Sequence, residues 1–155
     1  MFNQRIERNV HSTIAKVDKT TLSDIYHVSL YCADIQRHMQ QTERGTLPDG
    51  FYMRRQRDIN ENVRAILVDW IISVHAKFKL LPETLYLTIN LIDRYFSVFN
   101  VQKSDVQLVG VASLLIATKY EEIYPPTVKD FIYLTDNTYT RKQILAMEQS
   151  ILFNL

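Results

Sequence analysis

From Ser23 to Glu43 the apolar residues Ile25, Val28, Tyr31, Ile35 and Met39 recur at helical spacing. That pattern predicts an amphipathic helix with a narrow apolar stripe. Gly45, Pro48, Asp49 and Gly50 predict a loop after it. Asn60 then offers an N-cap to a long helix ending near Lys79. Within it Val63, Ile66, Leu67, Trp70, Ile71, Val74 and Phe78 form one stripe, and Ala65, Val68 and Ile72 fill a second. A helix apolar nearly all round is either buried or keeps a face for a partner.

Pro82 suits the first turn of the next helix, with Glu83 favourable beside it. Leu85, Ile89, Ile92, Phe96 and Phe99 give its core face. Ser104 and Gln107 have the spacing of a capping box that opens a helix to about Glu122, stopped by Pro125-Pro126. Its small residues Gly110, Ser113 and Ala117 share a face and admit a neighbouring helix closely, so this helix is expected at the centre. Thr127 with Asp130, and Thr140 with Gln143, open two more helices. The last turns Ile144, Met147, Ile151 and Leu155 inward. The expected fold is all-α: five helices preceded by one amphipathic helix. The expected organisation is a weakly ordered lead-in at 1–22, a helix and connecting loop at 23–58, and the five-helix domain at 59–155.

Composition narrows the class. The chain has 155 residues, 46% hydrophobic and 23% charged, as one globular domain requires. Only 3 Gly and 4 Pro disfavour a turn-rich β fold. A net charge of +1 gives no electrostatic reason to expect nucleic acid or a membrane surface as partner. A single cysteine, Cys32, the lack of any apolar run of membrane length and a polar N-terminus make an intracellular protein the expectation.

No convergent catalytic set is visible. His11, His27, His38 and His75 lack paired-ligand spacing, so no metal is expected. Gly45, Gly50 and Gly110 are isolated and make no phosphate loop, and no cofactor is expected. Glu121 and Glu122 point in different directions on a helix and are expected to be solvated. Two pairs of charges stand apart. Arg64 opens the most apolar helix, and Asp93 lies between Ile92 and Tyr95-Phe96. A charge against a core needs a partner, and the simplest account pairs these two. Lys119 continues the stripe Leu108, Ala112, Leu115, and Glu148 continues Ile144, Ile151, Leu155. By themselves they read either as a snorkelling lysine and an edge acid, or as the border of a partner surface.

The ordered set Arg64-Ala-Ile-Leu-Val-Asp-Trp-Ile71, Glu83-Thr-Leu-Tyr-Leu87, Leu91-Ile-Asp-Arg-Tyr-Phe-Ser97 and Lys119-Tyr-Glu-Glu-Ile-Tyr-Pro-Pro126 resembles the first cyclin box of mitotic, B-type cyclins, from about Ser29 to Leu155. The resemblance implies a five-helix cyclin-box fold. It implies a regulatory, activating subunit of a cyclin-dependent serine/threonine kinase at the G2/M transition, and not an enzyme. The family's signature Arg, Leu, Asp, Lys and Glu are filled by Arg64, Leu67, Asp93, Lys119 and Glu148. By resemblance Lys119 and Glu148 hold the kinase, and Arg64 with Asp93 stabilises the box. Tyr31, Ile35 and Met39 match the helix that packs on the kinase ahead of the box. Val63, Ile66, Leu67, Trp70, Val106 and Gln107 match the patch that docks Arg-x-Leu-type segments of substrates and inhibitors. The implied location is nucleus and cytoplasm.

The chain departs from the family in three ways. Val63 stands for the usual Met, and Ser73 for an acid that some cyclins use toward the docking motif's basic residue. The family's second box is expected to be absent from this chain. Two other readings stand beside this one: a cyclin-fold transcription adaptor binding DNA or other proteins, and, from the missing second box, a truncated, non-activating fragment.

Overall fold

The computed structural model describes Tyr26 and residues 31–155. The lead-in 1–22, and the start of the first predicted helix with Ile25 and Val28, lie outside the described residues. Six α-helices and no strand are found among the described residues. Helix α1 (Cys32–Thr46) belongs to one compact unit, and Leu47–Leu155 forms another. α1 continues past Glu43 through Gly45, and none of its residues is buried.

The second unit holds a 3₁₀ turn (Tyr52–Arg55) and helices α2 (Glu61–Phe78), α3 (Pro82–Val98), α4 (Val106–Glu121), α5 (Val128–Leu134) and α6 (Arg141–Asn154). Each start has a local cause. Asn60 is extended, and its side chain accepts the Val63 N–H at 3.1 Å. Pro82 occupies the first turn of α3. Asp130 Oδ2 accepts both the backbone N–H and the hydroxyl of Thr127, and Gln143 Oε1 does the same for Thr140. The end of α2 is less ordinary. Lys79 takes a left-handed conformation (φ 53°), and Leu80 N–H returns to the His75 carbonyl.

Two expectations fail here. The capping box of Ser104 and Gln107 does not form. A 3₁₀ turn (Lys103–Asp105) comes first, the Ser104 hydroxyl bonds Asp105, and α4 begins at Val106. Glu122 is not merely solvated. Its Oε1 accepts the Leu81 N–H at 2.8 Å and the Thr84 hydroxyl, capping α3 from the far end of α4.

α4 is the central helix. Val109, Val111, Ala112, Leu114, Leu115 and Ala117 are fully buried in it. Around it stand Leu67 and Ile71 of α2, Ile92 and Phe96 of α3, Phe131 of α5, and Ile144 and Ile151 of α6. Each such side chain contributes roughly 1.5–3 kcal/mol. Gly110 lets α2 come close: a Cβ there would stand 2.7 Å from Leu67 Cδ1.

Candidate partner-binding surfaces

Arg64 and Asp93 join α2 to α3. Arg64 Nε–H donates to Asp93 Oδ1 and Nη2–H to Oδ2, each at 2.7 Å. The Tyr52 hydroxyl donates to the same Oδ1 at 2.7 Å. One carboxylate therefore ties the 3₁₀ turn, α2 and α3. Its hydrogen bonds hold the Arg64 guanidinium protonated more firmly than usual, though burial opposes this. Burial and the bond to Asp93 push the Tyr52 phenol well above its ordinary value. Gln56 adds a second tie. Its amide donates to the Phe96 and Phe99 carbonyls, both at 2.6 Å, and accepts the Val101 N–H at 3.0 Å. Neither Tyr52 nor Gln56 stands out by periodicity, since the partners of both lie some forty residues on.

Lys119 and Glu148 meet across α4 and α6, with Nζ 2.7 Å from Oε1. The Lys119 side chain is 49% exposed and that of Glu148 12%. Lys119 lies in the last turn of α4, where a cation suits the carbonyl end of a helix. Beyond it Tyr120, Ile123 and Tyr124 are exposed. Glu148 lines a shallow depression with Gln149, Leu152 and Phe153, and the last two are exposed. Large apolar groups thus flank the ion pair along both helices. Sequence reading marked the two charges but not the aromatic residues. The Tyr-x-x-Ile-Tyr run before Pro125-Pro126 is the signal that could have found them.

A second surface is a groove of about 330 Å³ lined by Val63, Ile66, Leu67, Trp70, Lys103, Val106 and Gln107. Leu67 and Val106 are buried at its base, and Val63 and Trp70 are half-buried. Ile66 is 71% exposed, so it does not belong to the core stripe in which periodicity places it. α2 offers more apolar positions than α3 and α4 can cover, and the surplus faces solvent. All six residues singled out in the sequence line this one groove, and Lys103 joins them. In α1, Ile35 and Met39 are exposed, as is Tyr31 just before it. No group of His, Cys, Asp or Glu among the described residues could hold a metal, and no helix there is long and apolar enough to cross a membrane.

Known proteins share this architecture. The family "Cyclin, N-terminal domain" matches residues 34–155. Cyclin-A1 of Mus musculus is 48% identical over 130 residues, covering 84% of this chain and 31% of that protein. Cyclin-B1-2 of Arabidopsis thaliana is 52% identical over 125 residues, 81% of this chain and 28% of that protein. The chain therefore spans less than a third of either relative. The X-ray structure of a viral cyclin from herpesvirus saimiri shares the fold, with a TM-score of 0.67 at 24% identity over 76% of this chain and 51% of that one. With A-type and B-type proteins both among its relatives, the chain belongs to the cyclin family.

Proposed function

We propose that this chain is the kinase-binding box of a regulatory subunit that activates a cyclin-dependent serine/threonine kinase at the G2/M transition, in nucleus and cytoplasm. The observation that carries the reading is the Lys119–Glu148 ion pair, set among exposed Tyr120, Ile123, Tyr124, Leu152 and Phe153. Apolar surface flanking a few polar anchors suits a protein partner. The Lys119 end of the pair is half-exposed, so its ammonium can turn from Glu148 to a partner's carbonyl group. Lys119 would donate to carbonyls of the kinase, and Glu148 would accept its backbone N–H groups. Tyr31, Ile35 and Met39 of the preceding segment add apolar contact.

Activation on this reading is mechanical, and the chain supplies no catalytic residue. The surface binds the mobile kinase helix that carries a catalytic Glu and holds it inward, completing the Lys–Glu pair needed for phosphoryl transfer. Tighter binding to the active conformation shifts the kinase toward it. The apolar groove gives substrates and inhibitors a separate docking place.

Titration calorimetry against a monomeric cyclin-dependent kinase tests the surface. Lys119→Ala and Glu148→Ala should each weaken binding about tenfold or more, with the helical circular dichroism unchanged. Unaltered affinity in both variants would defeat the reading.

A further inference from the structure

We infer that Glu122 is a positioning residue of the kinase-facing surface: its carboxylate, bonded to the start of α3, fixes the exposed pair Ile123 and Tyr124 for the partner without touching the partner itself. The inference rests on the kinase-binding reading of that surface and adds what holds it in shape.

The start of α3 lacks a cap of its own. Leu81 stands at the N-cap, and its side chain makes no capping hydrogen bond. Glu122 supplies the acceptor from the far end of α4. Its Oε1 takes the Leu81 N–H at 2.8 Å and the hydroxyl of buried Thr84. A capping box draws this bond from a residue three positions on, whereas here it comes from an acid distant in the chain. The negative charge also suits the N-terminal end of a helix. From α2, His75 Nε2 donates to the Leu81 carbonyl at 3.0 Å. Leu81 is thus held at its N–H by α4 and at its carbonyl by α2.

The same residue marks where the chain leaves α4. The Glu122 N–H closes the last turn on the Thr118 carbonyl at 3.0 Å, and its backbone is then extended (φ −91°, ψ 138°). Lys119 lies one turn before it. Ile123 and Tyr124 follow at 85% and 92% exposure, so burial does not hold them. Their restraints lie at either end. On one side Pro125-Pro126 fix φ and bias Tyr124 toward extended backbone, leading into the capping box of Thr127. On the other side Glu122 ties the chain across the fold to α3. A partner that meets a segment already fixed is spared the entropy of ordering it. Without the carboxylate, the last turn of α4 and the apolar pair after it lose that restraint.

Titration calorimetry of the 155-residue chain against the monomeric kinase reads the effect. Glu122→Ala should weaken binding about tenfold. Glu122→Gln, whose amide oxygen still accepts the Leu81 N–H, should bind within about twofold of wild type. Tyr52→Phe removes a hydrogen bond farther along α3 and should leave affinity unchanged. With no partner present, backbone order parameters from NMR relaxation at Ile123 and Tyr124 should fall from about 0.85 to below about 0.6 in Glu122→Ala. Wild-type affinity in Glu122→Ala would overturn the inference. So would a Glu122→Gln variant as weak as the alanine one, which would assign Glu122 a direct charge contact with the kinase. An equal loss in Tyr52→Phe would also overturn it, by reducing the effect to lost stability. If the wild-type chain binds no kinase, the kinase-binding reading fails by itself. Order parameters that fall in Glu122→Ala would then still support the positioning, and unchanged ones would overturn it.

Discussion

The Asp93 carboxylate accepts two hydrogen bonds from Arg64 and one from Tyr52, and little of it is left to water. Asp93→Ala should cost about 3 kcal/mol in denaturant unfolding, because it strips the guanidinium and the phenol of their shared acceptor. A loss below about 0.5 kcal/mol would contradict this account. The phenol also gives a pH dependence. Tyr52 has a folded-state value above the ordinary 10.0 that applies in the unfolded chain. Below about pH 10 both states keep the proton and the hydrogen bond contributes fully. Above it the unfolded chain loses its proton first, so stability falls as pH rises. Stability measured from neutral to alkaline pH should show this fall, and Tyr52→Phe should lessen it. Arg64 and Asp93 stand out in the sequence because each is a charge set against an apolar run. Tyr52 carries no such mark, since one tyrosine among 9 gives no hint of where its hydroxyl goes.

Element boundaries follow local chemistry where the partners are close in the chain. Asn60, Pro82, Thr127 and Thr140 each open a helix through groups within four residues, and sequence alone locates them. Glu122 caps α3 from 41 residues away, beyond the reach of any sequence window. Ser104 and Gln107 have the right spacing for a box, but the 3₁₀ turn moves the helix start to Val106. Lys79 is the reverse case, a residue with a Cβ where the helix end needs left-handed backbone. Lys79→Gly should therefore raise stability by about 0.5–1 kcal/mol in thermal or denaturant unfolding. Destabilisation instead would mean that the lysine side chain contributes more than the backbone strain costs.

For the whole molecule, periodicity and the scarcity of Gly and Pro are enough to indicate an all-helical chain with α4 at the centre of the unit Leu47–Leu155, because burial imposes a helical spacing on the apolar residues. They did not separate core from surface on α2, where Ile66 shares the period of Leu67 and Trp70 yet faces solvent. The surplus of apolar surface, at the groove and around Lys119 and Glu148, is what a protein that works by holding another would display. The most direct test is activation in vitro. The chain and its Lys119→Ala/Glu148→Ala variant would each be added to a monomeric mitotic cyclin-dependent kinase, with phosphate transfer to a peptide as readout. The account predicts activation by the wild type and at least tenfold less by the variant at equal concentration. Equal activation by both, or none by a wild type that binds the kinase, would contradict it.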